Sequence, residues 1–111
     1  MQQVSPSLSD IRFSAMNLLA MREHSSKELK DKLGRKFESV GLIEEAIAGL
    51  IEQNLQSDER FAQAFVAMRQ RQGKGPLVIR MELREKGVAS ELIAHFVDDS
   101  HALWSELARD V

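Results

Sequence analysis

The stretch GLIEEAIAGLI, Gly41 to Ile51, recurs 46 residues later as GVASELIAHFV, Gly87 to Val97. Two more echoes flank it. LLAMR (Leu18 to Arg22) returns as FVAMR (Phe65 to Arg69) at an offset of 47, and Leu29 and Leu33 return as Ile79 and Leu83 at an offset of 50. Matched segments in one order at nearly constant offsets mark two copies of a single unit. Apolar positions recur at spacings of three and four almost throughout, with only two prolines and no Gly/Ser-rich linker. This spacing predicts an all-α chain of tandem three-helix bundles forming an elongated array. The middle helix of each unit is too short to be stable alone, so each unit must close its own bundle.

Working outward from the repeat, helix one is expected over Ser9 to Arg22, with Ile11, Ala15, Leu18 and Leu19 on its inner face. Helix two starts at Ser25, where Ser25-Ser26-Lys27-Glu28 is a capping box, and its anchors are Leu29, Leu33 and Phe37. Helix three, Leu42 to Asn54, buries Ile43, Ile47, Leu50 and Ile51 and holds Glu44 and Glu45 near its positive N-terminal end. Helix four opens at Ser57 or Asp58 and shows Phe61, Phe65 and Met68 at i, i+4, i+7. Gly73 suits its left-handed cap, and Pro76 suits the first turn of helix five, anchored by Ile79 and Leu83. Helix six follows Gly87 and uses Leu92, Ile93, Phe96 and Val97, ending near Asp99; Leu103, Trp104 and Leu107 begin a seventh segment. The expected divisions are a flexible N-terminus over 1–8, a first repeat over 9–56, a second over 57–99, and the start of a truncated third repeat over 100–111.

Composition narrows the function classes. With 111 residues, 43% hydrophobic and 29% charged, the chain holds enough apolar material to offset its conformational entropy and fold. No apolar run is long enough to span a bilayer and no secretory signal opens the chain, so a cytoplasmic protein is expected. The absence of cysteine excludes disulfides, thiol chemistry and thiolate zinc sites. His24, His95 and His101 fall on different predicted elements without metal-pair spacing, and no serine, histidine and acid share a catalytic motif. Neither a metal nor a cofactor is implied, and enzyme activity is not expected.

Charge is arranged in blocks. Arg22 to Phe37 holds six basic and three acidic residues and Arg69 to Lys86 six and two, whereas Glu38 to Glu59 holds six acids and no base. The middle helices are therefore basic and the third helices acidic, and the net charge of −2 hides a bipolar molecule. The strongest basic stretch surrounds Gly73-Lys74-Gly75-Pro76. It is not a phosphate loop: no strand precedes it, the Walker spacing is missing, and Pro76 removes an N–H donor. On a helical wheel Ile79 and Leu83 define the inner stripe of helix five, while Arg80, Arg84, Leu77 and Met81 lie about 100–200° round. Arg80 and Arg84 are like charges at i, i+4, which calls for an anionic compensator. An acid of a neighbouring helix, Glu91 or Asp98, would serve, with Leu77 and Met81 buried against the next repeat. So would a partner offering carboxylates or phosphates, both of which suit the arginine fork.

Three segments carry a family resemblance: MREHSSKELKDKL (Met21 to Leu33), DERFAQAF (Asp58 to Phe65) and, most strongly, RQRQGKGPLVIRMELREKGV (Arg69 to Val88). The chain resembles the RecX regulators of the recombinase RecA, whose pattern of Gly-x-Gly-Pro, Ile-Arg-x-Glu-Leu and Lys-Gly is matched by Gly73, Gly75, Pro76, Ile79, Arg80, Glu82, Leu83, Lys86 and Gly87. The resemblance implies a non-enzymatic protein of recombination, DNA repair and the SOS response. Such a protein lies in the groove of the RecA–DNA filament and inhibits ATP hydrolysis, strand exchange and coprotease activity. It also implies partner contacts at Arg69, Arg71, Lys74, Arg80 and Arg84, to which the wheel adds Leu77 and Met81 and the basic stretch adds Lys86. Gly73, Gly75, Pro76 and Gly87 would shape the turns. Lys74 departs from the family, which often has tyrosine there, and family members usually carry a complete third unit. The expected partner is the RecA filament, with single- or double-stranded DNA a further candidate, no membrane, and a monomeric state. The alternative reading is an autonomous DNA-binding helical module, since short helix pairs with a basic second helix occur in helix-turn-helix proteins.

Overall fold

The computed structural model describes residues 7–97. These form six helices: α1 (Leu8–Met21), α2 (Ser26–Lys36), α3 (Val40–Glu52), α4 (Asp58–Arg71), α5 (Pro76–Glu85) and α6, which occupies residues 90–97. The described residues contain no strand. The chain divides into two compact units, Met1–Ser57 and Asp58–Val111. Tandem three-helix units are thus the architecture, as the repeat predicts. The segment around Trp104 and His101, and Asp98, lie outside the described residues.

In the first unit α1 and α2 both pack on α3. Its core is Ile11 and Ala15 of α1, Leu29 and Leu33 of α2, and Ile43, Ala46, Ile47 and Leu50 of α3, with Leu18, Leu19 and Phe37 half-buried at its margin. Ile51, expected inside, is 49% exposed. It falls about 80° round from Ile43 on the wheel, and Ala46 takes the place that a simple apolar count assigns to it. In the second unit Phe61, Ala62, Phe65 and Val66 of α4 meet Ile79 and Leu83 of α5, Val88, and Ile93 and Val97 of α6. Met68 is exposed, against expectation, because Ala62 and Val66 turn the buried face of α4 away from it.

Helix starts follow side-chain caps. Ser25 Oγ accepts from the Glu28 N–H at 3.1 Å while the Glu28 carboxylate accepts from the Ser25 N–H at 3.1 Å, closing the expected box. A second box, Ser7 with Asp10, starts α1 one residue earlier than the apolar pattern indicates. Ser39 caps α3 through the Leu42 N–H, so that helix begins at Val40 and not Leu42. Glu44 and Glu45 consequently fall beyond its first turn, a correction to their expected place at the dipole.

Helix ends follow the left-handed region. After α4, Gly73 has φ +78° and donates to the Gln70 carbonyl at 2.9 Å, while Lys74 donates to the Arg69 carbonyl at 3.0 Å. This is a Schellman motif, and Gly87 (φ +80°) forms another after α5, with Val88 donating to the Leu83 carbonyl at 3.0 Å. Val88 and Leu83 are also in the same core, the apolar contact that usually seals such an end. Asn54 (φ 60°) takes the same role after α3.

Between α1 and α2, His24 is 1% exposed. Its Nδ1 lies 3.0 Å from the Arg22 carbonyl and its Nε2 3.0 Å from Lys32 Nζ. A carbonyl and an ammonium on opposite ring nitrogens select the neutral tautomer with hydrogen on Nδ1. Burial holds its pKa below the usual histidine value, with the Arg22 and Lys32 charges acting in the same direction.

Gly73→Ala is expected to cost about 1–2 kcal/mol, because a Cβ is placed in the left-handed region. Gly75 sits at φ −80°, caps α5 with no side-chain hydrogen bond, and would meet nothing within 4 Å if given a Cβ. Gly75→Ser should therefore stabilise by about 0.5–1 kcal/mol, and urea midpoints moving in opposite directions for the two variants would check both. The lowered pKa of His24 gives a second expectation. As pH falls below about 6.5 the unfolded chain binds a proton before the folded one, so stability declines with falling pH until the folded value is passed. His24→Asn should flatten that part of the stability profile between pH 7.5 and 5, measured by urea unfolding.

Candidate partner-binding face of the second unit

The basic stretch is folded back on itself by the turn between α4 and α5, and the structure divides its charges into two groups. Arg69, in the last turn of α4, is held internally. Its Nε and Nη2 donate to the two carboxylate oxygens of Glu82 on α5, at 2.9 and 2.8 Å, and its Nη1 donates to Gln72 Oε1 at 2.7 Å. Its guanidinium carbon lies 5.3 Å from the centre of the Phe65 ring, which itself stacks on Phe61 at 5.5 Å. The Arg69 and Glu82 side chains are about three-quarters buried, at 25% and 24% exposure. A planar fork with two parallel bonds on a ring face is a strut between helices. Arg80 and Lys86 are half-buried and engaged in other contacts.

Arg71, Lys74 and Arg84 form the other group. All three are exposed, and their side chains have no ion pair among the described residues. Between Lys74 and Arg84, Leu77 is 75% exposed and Met81 53%, with Val78 beside them at 39%. Leu77, Met81 and Arg84 stand at i, i+4, i+7 and share one side of α5, opposite Ile79 and Leu83, which are fully buried. Leu77 and Met81 enter neither of the two cores of the described residues, and Glu91 forms no ion pair with the arginines among those residues. The first turn of α5 carries no acid, so its positive dipole end adds to the same sign of charge.

Gly73, Gly75, Pro76 and Gly87 stand where turn chemistry needs them: two left-handed caps, an extended N-cap and a first-turn proline. The pairing of Glu82 with Arg69, Gln72 as a further partner of Arg69, and the exposed Val78 were not read from sequence. The signal for Glu82 was its place in the Ile-Arg-x-Glu-Leu pattern, which did not show that it pairs with Arg69. Among the described residues no helix is long and apolar enough to cross a membrane, and no cluster of three or more metal-ligating side chains occurs.

Two three-helix units with Schellman-closed helices and an exposed basic-apolar middle helix define a tandem helical-repeat protein. Family comparison is specific. Residues 12–50 match the model for the first three-helix domain of RecX, and residues 57–95 match that for the second. The chain is 39% identical to regulatory protein RecX of Halorhodospira halophila over 91% of this chain and 63% of that one, and 42% identical to that of Pseudomonas putida KT2440 over 91% and 65%. It is 38% identical to the Pseudomonas fluorescens protein over its whole length and 72% of the relative. The crystal structure of RecX from Lactobacillus salivarius superposes with a TM-score of 0.72 at 28% identity, covering 87% of this chain and 61% of that one. The chain belongs to the RecX family of regulatory proteins. It spans a little under two thirds of the length of the first two relatives.

Removing one member of the Arg69–Glu82 pair should destabilise the second unit more than removing both. We expect a coupling energy of about 1–2 kcal/mol from a double-mutant cycle of Arg69→Met and Glu82→Leu, read from urea unfolding.

Proposed function

We propose that the chain binds the RecA–DNA filament as a monomer in the cytoplasm and lowers RecA's ATP hydrolysis, strand exchange and coprotease activity without catalysing a reaction of its own. Family membership supports a regulatory role. The observation that carries the contact assignment is the exposed face of α5, where Leu77, Met81 and Arg84 stand together beside the exposed Arg71 and Lys74. A filament groove lined with carboxylates and phosphates would complement it, and arginine serves both. Within the same stretch, Arg80 and Lys86 act at the edge of the contact, and Arg69 acts through Glu82 by holding α5 in place.

A second reading, an autonomous DNA-binding module, is favoured by the exposed Arg71 and Lys74 next to the uncapped start of α5. Against it stand the net charge of −2 and the absence of an aromatic residue from α5.

The test is the steady-state ATPase rate of RecA on single-stranded DNA, titrated with this chain and with its Arg71→Glu/Arg84→Glu variant. Wild-type chain is expected to lower the rate, and the variant to need about tenfold more protein for the same effect, with unchanged helicity by circular dichroism. No inhibition by the wild type would remove the regulator reading. Binding to free duplex with a log–log salt slope of about −0.9 per phosphate contacted would support the second one.

A further inference from the structure

The two basic helices are equivalents in the repeat, yet they present opposite surfaces. On α2, Lys27 lies 3.8 Å from Asp31, Lys30 lies 3.6 Å from Glu44 of α3, and Lys32 rests on His24. These charges are answered within the first unit. On α5 the corresponding outward side exchanges paired charges for Leu77 and Met81, and leaves Arg84 without an ion pair among the described residues. Exposed apolar area of this kind recovers free energy only against another apolar surface. Phosphates would satisfy Arg84, but they would leave Leu77, Met81 and Val78 facing water and charge. Base stacking relies chiefly on aromatic side chains, and α5 has none.

We propose that α5 is the docking helix of this protein and α2 is not, and that α5 seats on a protein surface in which an apolar depression is rimmed by carboxylates. This rests on the regulator reading above, and it assigns the face to the protein component of the filament, with nucleic acid excluded from it. Leu77 and Met81 are the anchors, one rigidly branched and one able to adapt to an irregular hollow. Arg84 supplies the two-pronged bond to a rim carboxylate. The acid-free first turn of α5 and the exposed Lys74 and Arg71 before it extend the same charge requirement along the partner. The complementarity is that of an interface with an apolar centre and a charged rim.

The experiment places the photo-reactive residue p-benzoylphenylalanine at Leu77, or at Lys27 of α2 as the counterpart, and irradiates each chain with assembled RecA–single-stranded DNA filaments. The expected result is an adduct with the RecA chain from position 77 and none from position 27. In parallel, Met81→Asp should raise the concentration giving half-maximal ATPase inhibition about tenfold, while Lys27→Glu should leave it within about twofold. Both sites are exposed, so circular dichroism should be unchanged. An adduct from position 77 on DNA, an adduct from position 27, or persistent inhibition with no adduct from position 77 would overturn the docking assignment while leaving the regulator reading intact. If the unsubstituted chain neither inhibits nor cross-links, the regulator reading itself has failed and the assignment with it.

Discussion

The second unit depends on the fork that Arg69 closes on Glu82. One residue does three things there: its guanidinium takes both carboxylate oxygens of α5, its planar face lies over the Phe65 ring, and its backbone carbonyl accepts from Lys74 to end α4. Together these reinforce the roll of α5 about its own axis that its buried face sets. With Glu82 drawn toward α4 and Ile79 and Leu83 in the core, the side left over is that of Leu77, Met81 and Arg84. A lysine at position 69 would carry the charge but not the geometry, since a point charge neither locks two oxygens at once nor stacks on a ring.

The first unit reaches the same three-helix form with different polar chemistry. There Arg22, the repeat equivalent of Arg69, donates to Glu28 at 3.1 and 3.3 Å, and Glu28 is also the acid of the α2 capping box. The acid sits in the first turn of α2, where the dipole favours it, and the neighbouring Lys27 and Lys30 find carboxylates on the same unit. In the second unit that first-turn position is Val78, the cap is glycine, and the acid has moved one turn down to Glu82. The shift keeps the strut but strips the start of the helix of negative charge. The two units share one scaffold, and where α2 carries the paired charges of Lys27 and Asp31, α5 carries the exposed Leu77 and Met81.

Most of the architecture was legible in the sequence because it rests on local rules. Apolar spacing marks helices, Ser25-x-x-Glu28 and Gly73 mark their ends, and the echo of Gly41 to Ile51 in Gly87 to Val97 marks the repeat. The errors came where a rule had competitors. Ile51 and Met68 fit an apolar stripe, but small neighbours, Ala46 in one helix and Ala62 in the other, let the helices settle with a different side inward. Ser7 and Ser39 extended their helices because a serine cap outweighs the modest propensity cost of the residues that follow.

The sequence by itself determined two three-helix units, their caps and turns, and a basic stretch centred on the Gly73–Gly75 turn, because each of these is written in residues a few positions apart. Tertiary structure alone decided which of those basic residues are open. Arg69 and Arg84 look alike in a string, and only the meeting of α4 with α5 commits one to Glu82, thirteen residues away, and leaves the other in solvent. Pairing between charges on different helices depends on how each helix is rolled by its buried face, and that roll is the sum of many packing contacts that no short segment encodes.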